Sequence, residues 1–225
     1  MNWLHRIGHP SSDEDASDDA EESAPGSVER SAPGVASLLD GIAADGTLSV
    51  LDLGPASQSS FQLYSGLARR IRFADVLVDP ASTDDPSTKG FAARLEALGS
   101  DHDPQYDLVL AWNILDHLGA ESRSALIARL ANRTAPGARL YALVDASGRP
   151  ETYPLRFSLL DRDRVLQQPV GPSRPSHPEI LPAELERLLR PFRVCHAFTL
   201  RGGWREYVAV KKGSGPAMRR GHPAR

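Results

Sequence analysis

Along the chain the spacing of hydrophobic positions switches repeatedly between helical and strand periods, which predicts alternating helices and strands. Val35, Leu38, Leu39 and Ile42 share one helical stripe within 35–44. The run 49–53 that follows is rich in strand formers and stops at Gly54-Pro55. Helical spacing returns from Ser57 to Arg70, with Phe61, Leu63, Tyr64 and Leu67 inward and Ser57, Ser59 or Ser60 as the cap. A second strand is expected over 71–78, closed by Asp79-Pro80, and a helix over 90–98 with Phe91, Leu95 and Leu98 in register. Tyr106 to Trp112 reads as the clearest buried strand. A helix over 122–134 turns Leu126, Ile127 and Leu130 inward and ends at Pro136-Gly137, before a strand over 139–144.

Strands and helices alternating through short turns imply right-handed crossovers and a mostly parallel sheet covered on both faces. The C-terminal part breaks that rhythm. Residues 145–180 are dense in Pro, Arg and Ser and resist assignment to an element. A helix over 182–190 and a strand over 192–200 follow, and a Gly202-Gly203 turn leads into an antiparallel partner over 204–211. The expected fold class is therefore α/β: a doubly wound, mostly parallel sheet closed by a C-terminal antiparallel hairpin.

Charge and composition trim this picture at its ends. Residues 11–29 carry eight acids and no Lys or Arg, and the segment from Lys211 to Arg225 is basic and broken by Gly and Pro. Such stretches bury too little apolar surface to offset their ordering entropy. The expectation is a disordered acidic tail over 1–32, one folded domain over 33–212 and a disordered basic tail over 213–225. Within the first tail, Trp3, Leu4 and Ile7 would form one apolar turn able to dock on a protein partner. A net charge of −3 gives no general attraction to nucleic acid. No apolar run approaches the roughly 20 residues that span a bilayer, and the start is too short in apolar residues for a signal peptide. A cytoplasmic protein is expected. Arg outnumbers Lys by 23 to 3, which fits GC-rich coding in a bacterial source.

Several chemistries are excluded at once. A single Cys195 rules out a disulfide framework and a multi-Cys zinc site, and the seven His residues lack metal-ligand spacing, so no metal is expected. The sequence has no Gly-x-Ser-x-Gly elbow and no Gly-Lys-Ser/Thr phosphate loop.

Three segments carry a resemblance. Val50-Leu-Asp-Leu-Gly-Pro55, the run from Tyr106 to Leu118 and Ala135-Pro-Gly-Ala-Arg-Leu-Tyr141 resemble the first, fourth and fifth strand regions of the class I S-adenosylmethionine-dependent methyltransferases. The closing hairpin is similar to that family's reversed last strand, and the resemblance covers roughly 33–212. It implies a Rossmann-like methyltransferase fold with S-adenosylmethionine as cofactor and a small-molecule acceptor methylated by direct in-line transfer. Ligands of such sheets sit beyond the carboxyl ends of the strands, where strand order reverses. The resemblance places Asp52, Gly54, Pro55, Ala56, Asp75, Trp112 and Asn113 around the cofactor. Gly54 would let the backbone approach it closely. Asp52 would bind its ammonium through water or cap the adjacent turn. Asp75, 21 residues beyond Gly54, would take the ribose hydroxyls, with Asp79 as the reserve. His117 is the candidate general base. The segment 145–180 would cover the substrate, and its Arg149, Arg156, Arg162, Arg164 and Arg174 suit an anionic acceptor.

The chain also departs from the family. Ala56 and Gln58 stand where the second and third glycines of the first turn would fall, and no third strand is evident between Asp79 and Tyr106. The adenine-binding acid after that strand has only Asp101 and Asp103 as loop candidates. Asn113-Ile-Leu-Asp replaces the Pro-Pro-aromatic run of the enzymes that methylate DNA amino groups. These departures keep a second reading open: a catalytically inactive member of the fold serving as an assembly or regulatory subunit.

Overall fold

The described part opens with β1 (Val28–Ser31) and helix α1 (Pro33–Leu39), which lead into β2 (Leu48–Asp52), a strand buried at every residue. Such burial marks a central strand covered on both faces. The structure is a computed structural model, and it describes residues 26–75, 95–96, 98–99, 103–148, 151–152, 155–170, 174–175 and 180–213. Helix α2 (Gln58–Ser65) follows, started by Ser57, whose hydroxyl accepts the Ser60 N–H at 3.1 Å. Next come β3 (Ala68–Phe73), β4 (Tyr106–Leu110), a 3-10 turn (Ile114–His117), α3 (Ala120–Arg133) and β5 (Thr134–Asp145). After β5 lie β6 (Glu151–Thr152), β7 (Leu155–Leu159), β8 (Arg164–Pro169) and β9 (Arg174–Pro175). Helix α4 (Pro182–Leu188), β10 (Phe192–Thr199) and β11 (Trp204–Lys211) complete the fold.

The main sheet has six strands in the order β10-β11-β5-β4-β2-β3. Strands β3, β2, β4 and β5 run parallel, and β11 is antiparallel to both of its neighbours. This is the doubly wound sheet with a terminal antiparallel hairpin that the hydrophobic pattern implies. Alternation along each strand builds two cores. Leu51, Val109, Leu140 and Ala142 pack with α3 and α4 on one face, against Leu126, Leu130 and Leu185. Val50, Leu108, Leu110, Tyr141 and Leu143 pack with α1 and α2 on the other, against Val35, Leu38 and Tyr64. Glu206 of β11 fastens α1 to this face: its carboxylate accepts the Gly34 N–H at 2.7 Å and the Tyr141 hydroxyl at 2.8 Å. A Cβ on Gly34 would lie 2.8 Å from Glu206 Cβ, so this close approach requires glycine.

Several boundaries differ from those the pattern predicts. Helix α2 ends at Ser65, not Arg70, and β3 begins at Ala68 rather than 71. Arg69, Arg70 and Arg72 lie in the strand, which pairs with β2 from Ala68 onward, and Arg70 also donates to the Gln105 carbonyl before β4 at 3.0 Å. Phe61 is exposed on α2, and the inward places go to Ser60 and Tyr64. The turn at Pro136-Gly137 lies inside β5, which starts directly after α3. The expected helix over 90–98 is described only at Leu95, Glu96 and Leu98, where Leu95 and Leu98 are buried. The rest of that helix, the end of the expected strand 71–78, Asp79 and Asp101 lie outside the described residues.

The largest corrections concern the N-terminal tail and the segment 145–180. Val28–Ser31, placed in the tail, is a strand that pairs antiparallel with β8. The acidic part, 1–25, lies outside the described residues, as do Trp3, Leu4 and Ile7. Segment 145–180 contains the hairpin β7–β8, which joins β1 in a three-stranded sheet of order β1-β8-β7, and the short pair β6–β9. Phe157, Leu159 and Val165 turn the hairpin's apolar face onto the α1/α2 side of the main sheet. Its turn is moored by Ala32 N–H to the Asp163 carbonyl at 2.7 Å, and Leu159 N–H reaches Ser60 Oγ at 2.9 Å. Among the described residues no helix is long and apolar enough to cross a membrane.

Candidate functional site

Strand order reverses between β2 and β4: the chain steps outward from β2 to β3, then returns to place β4 on the other side of β2. A crevice is expected there, beyond the strands' carboxyl ends. A cleft occupies that position, lined by Leu53, Gly54, Pro55, Asp75, Trp112, Asn113 and, from the hairpin above, Arg156 and Phe157. Three strand ends and the cover thus supply its walls. A larger hollow, about 280 Å³, lies between α3 and α4 around Arg123, Glu184 and Arg187, away from the strand ends.

Asp52 ends β2 with its carboxylate fully engaged. Oδ1 accepts the Gly54 N–H at 2.8 Å and the Trp112 indole N–H at 2.5 Å, and Oδ2 accepts the Tyr64 hydroxyl at 2.7 Å. The side chain therefore caps the turn after β2, one of the two roles open to it in the sequence. Burial pushes the Asp52 carboxyl up to about 6 against the opposing pull of these three hydrogen bonds. Tyr64 is held well above its ordinary range, by burial first and the Asp52 charge second.

Trp112 is the unusual residue of the site. Its φ is +47°, in the left-handed region that a bulky side chain rarely adopts. The backbone bend that follows β4 turns the indole over Gly54. A Cβ on Gly54 would lie 2.9 Å from Trp112 Nε1 and 3.1 Å from Asp52 Oδ1. Glycine is thus required here for the indole to close on the turn. Phe157 of the cover stacks on the indole at 5.6 Å and 8°, and Tyr141 meets it edge-on at 5.6 Å. Each such pair contributes about 0.5–1.5 kcal/mol beyond its buried area.

Asp75 lies two residues past β3 and forms an ion pair with Arg156 of the cover at 3.7 Å. Arg156 is 45% exposed, which limits the pair to roughly 0–1 kcal/mol. With the cover seated, the cleft volume is about 40 Å³. A nucleoside-sized ligand needs roughly 300 Å³ or more. Asp75 and the Gly54 turn line the cleft and Asp52 lies buried beside it, but the indole and the cover fill the room.

The remaining sequence candidates stand apart. Ala56 is exposed beyond the cleft, and Gln58 is exposed at the start of α2, so neither lines it. Asn113 is buried and donates toward His117 Nε2 across 3.0 Å, but His117 does not line the cleft. Asp116, which sequence reasoning passed over, accepts the Asp145 N–H at 2.9 Å and pins the 3-10 turn to the end of β5. Burial pushes its carboxyl up to about 7. Its signal in the sequence is only an acid two residues before Leu118, at the end of the fourth-strand segment. Of the cover arginines, Arg156 reaches the cleft, whereas Arg164 pairs with Asp161 and Glu29 at the far end of the hairpin. Among the described residues no group of three or more His, Cys, Asp or Glu could hold a metal ion.

No known protein family matches the chain, and no curated protein does. Among solved structures the chain is similar to the N-methyltransferase NodS from Bradyrhizobium japonicum WM9, at 15% identity over 80% of this chain and 94% of that one, with a TM-score of 0.44. It is also similar to the Burkholderia thailandensis 1,6-didemethyltoxoflavin-N1-methyltransferase, at 18% identity over 80% of this chain and 77% of that one, with a TM-score of 0.49. The glycopeptide N-methyltransferase MtfA matches at 16% identity over 79% of this chain and 89% of that one, with a TM-score of 0.44. The fold assignment rests on the chain's own strand order: a Rossmann-like, doubly wound sheet closed by a reversed C-terminal hairpin.

Proposed function

We propose that the chain binds S-adenosylmethionine at the carboxyl ends of β2, β3 and β4 and transfers its methyl group to a small-molecule nucleophile. The observation that supports this most is convergence. Gly54 and Pro55 from the turn after β2, Asp75 from the end of β3, and Trp112 and Asn113 from the end of β4 meet in one cleft at the switch in strand order. When bound, the cofactor supplies a methyl group activated by its sulfonium. The chain's own residues orient the reactants and exclude water, so catalysis is mainly alignment. Asp75 would accept the ribose hydroxyls in exchange for Arg156, and Asp52 would face the ammonium. Arg156, released, would meet an anionic group on the acceptor. His117 lies outside the cleft, so an acceptor that is already a nucleophile at neutral pH suits the site best.

One observation favours the second reading, a catalytically silent subunit: the Trp112 indole fills the seat over Gly54. The two readings separate by photolabelling. Ultraviolet irradiation of the full chain with methyl-tritiated S-adenosylmethionine is expected to label peptides containing 52–58 or 112–118. Excess S-adenosylhomocysteine should compete the label away, and Asp75→Ala should reduce it roughly tenfold, the loss expected for a hydrogen bond to a charged group. Label that resists competition, or no label, would exclude the enzyme reading.

A further inference from the structure

We propose that Trp112 is a gate: Asp52 holds its indole in the seat of the incoming ligand, and the ligand's ammonium displaces the indole N–H from that carboxylate as the site opens. The inference rests on the reading of the cleft as the cofactor site, and adds how that site is regulated. Four observations carry it. The indole N–H lies 2.5 Å from Asp52 Oδ1, the same oxygen that caps the Gly54 turn. The ring lies so close to the Gly54 Cα that not even a methyl group fits between them. Its backbone is held at φ +47°, a conformation a tryptophan keeps only when its surroundings enforce it. The Phe157 phenyl stacks over the ring, on a hairpin strand whose preceding residue, the half-exposed Arg156, pairs with Asp75.

These contacts belong together. The hairpin is moored at its turn, through Asp163 and Leu159, and along β8 by β1. Residues 155–156 and 168–170 lie beyond those moorings and form the end that lifts, with Phe157, opposite the β1-paired Gln167, at its hinge. Lifting draws Arg156 from Asp75 and tilts the Phe157 ring off the indole, and the freed indole leaves Asp52. The ligand then gains two carboxylates, Asp52 and Asp75, that the closed chain satisfies with its own donors. Apparent affinity is reduced by the fraction of chains that are closed. A variant lacking the indole N–H sheds that penalty, by about tenfold for one hydrogen bond to a charged acceptor.

The test uses the full chain and S-adenosylhomocysteine, which carries the same ammonium. The chain has three tryptophans, Trp3, Trp112 and Trp204, so its NMR spectrum has three indole N–H signals, and Trp112→Phe identifies one by its loss. Titration is expected to shift the Trp112 signal and speed its exchange with solvent, and W112F is expected to bind about tenfold more tightly than the wild type. Phe157→Ala, which loosens the roof without touching Asp52, should also bind more tightly and stands in if W112F fails to fold. Binding with an unmoved Trp112 signal and no gain in either variant would overturn the gate while leaving the cofactor site intact. Failure of the wild type and of both variants to bind at millimolar ligand would overturn the site, and the gate with it.

Discussion

Asp52 is the residue on which the site turns, because three donors from three elements converge on its buried carboxylate. Asp52→Ala strands the Tyr64 hydroxyl and the Trp112 N–H without an acceptor, and urea unfolding should show a loss of about 3 kcal/mol. Asp52→Asn keeps the pattern: its oxygen still accepts from Gly54 and Trp112, and its amide can donate to a rotated Tyr64 hydroxyl. That variant should lie within about 1 kcal/mol of the wild type near pH 4, where the carboxyl is neutral as well. The charge itself has a separate signature. A carboxyl raised from 3.8 to about 6 in the folded chain contributes stability below about pH 4 that is lost as pH rises through 6. Between pH 4 and 7 the balance should therefore move towards D52N, by up to about 3 kcal/mol. If D52N is as damaged as D52A, the hydrogen-bond account of this carboxylate is wrong. The sequence exposes Asp52 and Gly54 through the strand-turn pattern around them. It does not expose their link to Trp112, because the partner lies 60 residues away and no local period connects the two.

Elements follow the same rule, legible where the signal is local and hidden where pairing is distant. Parallel strands β2 and β4 stand out as apolar runs because both their faces are buried. The boundary between α2 and β3 is blurred, since Arg69, Arg70 and Arg72 suit an exposed helix face as well as a strand whose arginines serve a neighbouring loop. Strands β7 and β8 escape the pattern because they are short and lie among Pro, Arg and Ser, and β8 is completed by β1, more than a hundred residues away. That pairing makes β1 the outer strand of the cover and joins it, through Ala32, to α1 on the main sheet. A chain beginning at Ala32 should keep the main sheet but lose the outer strand. Amide exchange is then expected to accelerate at least roughly tenfold across 155–169, the sub-global opening of a unit stripped of its neighbour, while β4 and β5 keep their protection. Equal protection in both chains would mean that the hairpin holds to the sheet without β1.

At the scale of the whole molecule, strand order creates the cleft, and what surrounds it decides whether it is open. The reversal between β2 and β4 brings a glycine turn, an acid and a post-strand bend together whatever their function. The same fold then lays a cover of its own sequence on that cleft, with an aromatic stack at the centre and an ion pair at the mouth. Calorimetric titration of S-adenosylhomocysteine into the full chain at neutral pH decides whether the cleft takes the cofactor. One site per chain with micromolar affinity is expected, weakened about tenfold in Asp75→Ala, the loss of one hydrogen bond to a charged group. Absence of heat and of thermal stabilisation at millimolar ligand, in the wild type and in W112F, would contradict it and leave the cleft as a packed joint between sheet and cover.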